Sequence, residues 1–183
     1  LNELVVNIGE MLRRTLGAEI EIESVLVEGL WPVSVDSAQL ESMLVNLCIN
    51  ARDAMTGGGR LLIETANVEL DAGRDAQGTP HAAGAYVRLT VTDTGSGIAP
   101  EILGRVFEPF FTTKDVGKGT GLGLSMIYGF LKQSGGHVNV YSELGVGTAI
   151  KVHLPRVQSG EAREAVAPPA MPRGSERILV IED

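Results

Sequence analysis

The run LESMLVNLCINARDAM over residues 40–55 sets Asn46, Asn50 and Asp53 among apolar neighbours. At ~100° per residue of an α-helix they fall on one narrow stripe. Leu40, Met43, Leu44, Leu47, Ala51 and Ala54 form a broad face beside it, and Val45 and Ile49 extend the apolar character on the other flank. Two carboxamides and a carboxylate between apolar flanks are costly to bury without partners. They form either a satisfied internal hydrogen-bond network or a row of oxygen ligands for a hard cation such as Mg²⁺, which prefers oxygen and brings phosphates with it.

A second group is Val91-Thr92-Asp93-Thr94-Gly95-Ser96-Gly97-Ile98. An apolar strand delivers an acid onto a turn whose two glycines let the backbone approach a flat ligand. A carboxylate there can accept from an exocyclic amine such as that of adenine, although Asp and Gly also make ordinary turns. The third group is Phe107-Glu108-Pro109-Phe110-Phe111-Thr112-Thr113-Lys114, followed by Gly117-Lys118-Gly119-Thr120-Gly121-Leu122-Gly123-Leu124. Alternate glycines before a helix describe either a flexible turn or a mobile loop with free N–H groups at a helix N-terminus, where phosphate binds well. Lys114 and Lys118 can supply charge to the same phosphates. The pattern is neither the dinucleotide fingerprint nor the P-loop: it lacks a GK[ST] ending and sits in no βαβ unit.

The elements that must hold these groups follow from periodicity. Leu4, Ile8, Met11 and Leu12 predict a helix over 3–16. Alternation predicts a strand over 19–27 and a short one over 33–35, after which Asp36 can cap a helix running to about Met55. Strands are expected over 60–70 and 86–91, separated by a polar loop at 71–84. A glycine-interrupted loop with a short helix leads to about Gly119. A helix over 122–133 and two strands, 137–142 and 148–154, turning at 144–147, complete the domain. Residues 156–175, with Pro168, Pro169 and Pro172, read as a linker. RILVIED at 177–183 reads as a buried-type strand ending in two acids.

Composition limits the function classes. The 183 residues suit one α/β domain with a tail, and 44% hydrophobic residues suffice for a normal core. The net charge of −8 argues against wrapping a nucleic acid. The single cysteine, Cys48, sits among apolar neighbours and reads as a small core residue, in keeping with the cytosol. No apolar run approaches the ~18 residues of a membrane span. Opening on Leu1 and stopping on Asp183 inside an apolar run, the sequence reads as a piece of a longer protein.

The order Asn46…Asn50, Asp93-x-Gly95-x-Gly97, Phe107…Phe110, Gly119-x-Gly121-x-Gly123 and finally Gly147-Thr148 resembles the N, G1, F, G2 and G3 boxes of histidine-kinase ATPase domains. That superfamily also contains gyrase, the Hsp90 chaperones and the MutL repair proteins. The resemblance covers about residues 3–155. It implies a two-layer α/β sandwich, a Bergerat-type ATP-binding fold with a mixed sheet covered on one face by helices. It implies ATP and Mg²⁺ as cofactors, with Asn50 on the metal and Asn46 beside it, the two as catalytic residues. Asp93 would bind the adenine amine, Gly95 and Gly97 would shape the base pocket, and Thr148 would lie near Asp93. Residues 107–121 would form a lid over the nucleotide, anchored by Phe107 and Phe110, and Gly121, Leu122 and Gly123 would meet the phosphates. Asp53, Ile98, Thr113, Lys114, Lys118, Gly119, Thr120 and Leu124 complete the implied nucleotide-binding set.

Two departures stand out. Many kinases carry a basic residue three positions after the second box asparagine, where this chain has Asp53. No phosphate-accepting histidine is recognisable: His81, His137 and His153 lie in a loop and two strands. The implied activity is therefore transfer of the ATP γ-phosphoryl group to a histidine on a separate dimerisation domain. The alternatives are an ATPase of the same superfamily and a nucleotide-sensing module without transfer activity. The ATPases place a glutamate general base where Asn46 stands, and an amide cannot accept a proton. RILVIED resembles the first strand of a receiver domain, with Glu182 and Asp183 as its acidic pair, though a generic α/β strand also fits. The expected partition is then 1–155 catalytic domain, 156–175 linker and 176–183 receiver strand of a hybrid kinase. The parent is expected to be a cytoplasmic homodimer or one anchored through segments outside this chain, and the piece alone a monomer.

Overall fold

The computed structural model describes residues 1–114 and 119–157. Lys118 and Gly117, the remainder of the expected linker from 158 on, and the RILVIED segment lie outside the described residues.

Helix α1 (Asn2–Leu16) forms because Val5, Ile8, Leu12 and Leu16 recur at helical spacing and are all buried. Strand β1 (Ile20–Leu26) follows. Helix α2 (Ser37–Ala54) begins where Asp36 accepts a hydrogen bond from the Gln39 N–H at 2.8 Å, the cap expected from the sequence. Strand β2 (Gly59–Leu70) is followed by two-residue strands β3 (Gly73–Arg74) and β4 (Pro80–His81), then by β5 (Gly84–Asp93). One short helix, α3 (Pro100–Leu103), precedes α4 (Gly123–Gln133), and strands β6 (His137–Glu143) and β7 (Gly147–Pro155) close the domain.

The main sheet has the order β1-β2-β5-β7-β6 and is mixed, with β1 parallel to β2 and every other pair antiparallel. The register places Leu61, Ile63, Leu89, Val91, Ile150, Val152, Val138 and Val140 on one face. These side chains join Leu12 of α1, Leu44, Leu47 and Cys48 of α2, and Ile127 and Leu131 of α4 in one core. Cys48 is fully buried, and burial pushes its thiol up to about 12, so it stays protonated and inert. The two-layer sandwich is therefore built as the sequence implies.

Three local expectations change. The 33–35 strand is a single bridge between Val33 and Arg156. The polar loop 71–84 contains the β3–β4 pair, which folds around buried Asp75. The folded unit also runs past 155: Arg156 donates its N–H to the Ala85 carbonyl, Val157 donates to Pro32, and the Arg156 guanidinium lies 4.6 Å over the Trp31 ring.

Candidate functional site

The five sequence groups converge where the end of β5, the start of β7, the second half of α2 and the N-terminus of α4 meet. Asp93 is the last residue of β5 and is 8% exposed. Burial pushes its carboxyl above the usual range, while N–H groups of Gly95 and Thr148 partly offset that rise. The Gly95 N–H donates to Asp93 Oδ1 at 2.8 Å, and Ser96 donates to the Ala54 carbonyl at 2.9 Å, which clamps this loop onto the end of α2. Gly97, at φ 71°, lies against the Glu143 carbonyl, and a Cβ there would strike it. Gly147 lies equally close to the Asp93 carbonyl. Thr148 pairs with Asp93 across β5 and β7, and Ile98 donates its N–H to Ser142 Oγ at 2.8 Å.

Asn46 and Asn50 point toward the first turn of α4. A Cβ placed on Gly123 would stand 3.7 Å from Asn50 Nδ2 and 4.0 Å from Asn46 Oδ1. Both are half-buried. Among the described residues, the side-chain hydrogen bonds of this half of α2 belong to Arg52 and Asp53, and none involves Asn46 or Asn50. The satisfied-network explanation of the stripe thus holds for Asp53 alone. Asp53 accepts from Lys114 Nζ at 2.6 Å and from Arg52 at 2.8 and 3.0 Å. Burial raises its carboxyl, but Lys114 and then Arg52 outweigh that and hold it below the usual range. Two neutral carboxamides, a residue type whose oxygens suit a hard cation, stand here beside a helix N-terminus, which suits phosphate.

Phe107 is buried and meets the Tyr128 ring at 5.7 Å. Phe110 does not anchor the lid through its side chain, which is 75% exposed. Its backbone is at φ 66°, turning the chain so that its N–H reaches the Gly121 carbonyl at 3.0 Å and sending the ring outward. Phe111 takes the anchoring place, packed on the core with the Arg105 guanidinium 4.5 Å above it. Thr112 Oγ1 accepts the Lys114 N–H, Gly119 lies against Thr112 and Lys114, and Thr120 Oγ1 accepts the Leu122 N–H. Thr113 is exposed, and Leu124 packs on the core.

The structure also shows what sequence reasoning missed. Ser142 bridges the Ile98 loop and Thr148 of β7, and only the β6 alternation hinted at its inward direction. Asp75, whose side chain is fully buried, pairs with Lys132 at 2.8 Å. The three histidines form a stack: His81 on His137 at 4.0 Å and His137 on His153 at 4.5 Å between ring centroids. Their parallel planes do not converge on a common metal position, and no metal-binding cluster occurs among the described residues.

A buried acid on a double-glycine turn thus stands with two asparagines, without side-chain partners among the described residues, before a glycine-rich helix start. The chain belongs to the histidine kinase-, DNA gyrase B- and HSP90-like ATPase family, whose profile matches residues 35–158. Its relatives are sensor histidine kinases, in which this family domain is the catalytic ATP-binding domain. The chain is 43% identical over 195 residues to sensor kinase CckA of Brucella abortus, a match covering all of this chain and 20% of that protein. It is 38% identical to two-component sensor PprA of Pseudomonas aeruginosa, over 85% of this chain and 16% of the other. The chain thus spans a fifth or less of these two relatives. Among solved structures, the mycobacterial sensor histidine kinase MprB superposes with a TM-score of 0.65 at 29% identity, covering 85% of this chain and 93% of that one. Full-length ShkA in complex with AMPPNP superposes at 0.67 and 28%, covering 86% and 30%. No described helix is long and apolar enough to cross a membrane.

Proposed function

We propose that this domain binds Mg·ATP and transfers its γ-phosphoryl group to a histidine on a separate helical dimerisation domain of the same protein. The observation that carries it is the pair Asn46 and Asn50, half-buried, without side-chain partners among the described residues, and aimed at the N-terminus of α4. Asp93, at the closed end, accepts the adenine amine. The ribose and phosphates then run toward α4, where the backbone of Gly121, Leu122 and Gly123 meets them. Lys114, paired with Asp53 of α2, supplies positive charge to the phosphates. Asn50, with Asn46 beside it, would hold Mg²⁺, which would supply positive charge against the phosphates.

Such a site works by positioning and charge neutralisation, as phosphoryl transfer requires. No carboxylate stands at position 46 to activate water, so the γ-phosphoryl group is kept for an incoming imidazole. AMPPNP is held by ShkA, one of the structures this chain resembles, which supports a triphosphate in this mouth. A receiver domain would be the next phosphate acceptor, and the full protein a homodimer. The test mixes this chain with the parent's histidine-bearing helices and γ-labelled ATP. The expected result is an acid-labile, alkali-stable phosphohistidine on the helices. Rapid release of inorganic phosphate without any labelled histidine would instead assign an ATPase.

A further inference from the structure

Ser142 is the most heavily engaged hydroxyl beside the base pocket. Asp93, Thr148 and Ser142 stand side by side across β5, β7 and β6, since Asp93 pairs with Thr148 and Thr148 pairs with Ser142. Direct partners in antiparallel strands point to the same face, so the three side chains form one row on the helix-covered side. Ser142 Oγ makes three contacts: the Ile98 N–H at 2.8 Å, the Gly147 carbonyl at 3.0 Å and Thr148 Oγ1 at 2.8 Å.

A hydroxyl has one proton and two acceptor positions, and counting them fixes every direction. A backbone N–H only donates, so Ile98 takes one acceptor position of Ser142. A carbonyl only accepts, so the Ser142 proton goes to Gly147. The remaining contact then has a single polarity: Thr148 donates and Ser142 accepts. The Thr148 proton is thereby turned away from Asp93, and Thr148 offers that side only lone pairs. Asp93, when ionised, is an acceptor as well. The wall they share accepts hydrogen bonds and offers none from a side chain.

We infer that Ser142 is a specificity-determining residue: by holding the Thr148 proton it makes the base pocket select a purine with an exocyclic amine at C6 and reject one with a carbonyl there. The inference rests on the adenine pocket proposed above. Adenine presents a donor to the wall. Hypoxanthine and guanine present an oxygen, which faces lone pairs with no proton to meet it, a buried mismatch of the costly kind. Ser142 touches no substrate in this scheme and acts through Thr148.

The test measures binding of ATP, ITP and GTP to the whole chain and to Ser142→Ala, Ser142→Thr and Thr148→Val, with circular dichroism as the check of folding. In the unaltered chain ATP is expected to bind at least tenfold tighter than ITP or GTP. In Ser142→Ala the Thr148 hydroxyl is free to turn and donate, and the ATP-to-ITP ratio should fall about tenfold, with ITP binding no weaker than before. Ser142→Thr keeps the hydroxyl and should restore most of the ratio. Thr148→Val deletes the acceptor itself and should lower the ratio alone, with no further fall when combined with Ser142→Ala. An equal loss of ATP and ITP affinity in Ser142→Ala would mean that Ser142 only shapes the loop, and would overturn the inference. So would an unchanged ratio in Ser142→Ala or, if that variant fails to fold, in Thr148→Val. An unaltered chain that binds no ATP would instead overturn the proposed function, and a chain that binds ATP and ITP alike would overturn the inference alone.

Discussion

Acidification should unfold this domain earlier than its carboxylates predict, because of the histidine stack. Neither ring nitrogen of His137 nor Nδ1 of His153 has a partner among the described residues, and the two residues are 2% and 5% exposed. Burial above all, then His81, with Asp75 opposing and Lys132 adding, lowers His137 to about 4. Burial lowers His153 to about 3, helped by His137, Arg88, His81 and Lys151. In the unfolded chain each titrates near ~6.5. The sign follows: both fold neutral, so their full stability is present above about 6.5, and falls as the pH drops toward the folded values. At roughly pH 5 each histidine forfeits about 2 kcal/mol, or about 4 kcal/mol together, a large share of the 5–15 kcal/mol typical of a domain. Asp53 and Asp75, both held low by lysine partners, lose their contributions only below the ordinary carboxylate range, so the histidine loss comes first. Thermal melts followed by circular dichroism should show the midpoint falling by about 8–16 °C between roughly pH 7.5 and 5. His137→Phe keeps a stacked ring without a proton site and should recover about half of that fall. Midpoints that agree within about 2 °C across the range would refute the buried, neutral stack.

Asp93→Asn leaves the adenine amine facing a group that donates as well as accepts. ATP affinity by calorimetry should drop about tenfold or more, in line with one mismatched buried hydrogen bond. Asn50→Ala should abolish Mg²⁺-dependent nucleotide binding while the melting temperature stays within a few degrees, since the side chain is half-buried and unpartnered among the described residues; coincident loss of folding would return it to a structural role. Lys114→Ala removes a pair whose lysine is 35% exposed, so stability should change by no more than about 1 kcal/mol in denaturant titration. Its nucleotide affinity should fall, and more so at low salt. Gly97→Ala should cost about 1–3 kcal/mol, because a Cβ meets the Glu143 carbonyl at a left-handed φ.

The long elements were legible because each repeats one simple period. Leu40 to Ala54 carries helical spacing over four turns, and YVRLTV alternates as a strand must. The five boxes were legible because each compresses its chemistry into a few neighbouring residues. What could not be read depends on partners far apart in the chain. Lys132 meets Asp75 across 57 positions, and no local pattern marks either residue. The β3 and β4 strands are two residues long, too short for any period to show. The Val33 bridge needs Arg156, which composition alone assigned to a linker. Phe110 was misjudged because aromatic character suggests burial, whereas the backbone turn there decides where the ring goes.

Strand β7 also has a mechanical meaning. It begins beside Asp93 and ends beside the point where Arg156 and Val157 are fastened to Ala85 and Pro32. Nine residues at ~3.3 Å each make it a strut of about 30 Å from the neighbour of Asp93 to that fastening point. Neighbours on both sides hold it, β5 and β6, and both are antiparallel to it. Tension applied at Val157 therefore loads the ladder lengthwise, in shear, with many hydrogen bonds bearing it at once instead of opening one by one. A tug from whatever follows Val157 would be felt at Thr148 as strain along a stiff rod.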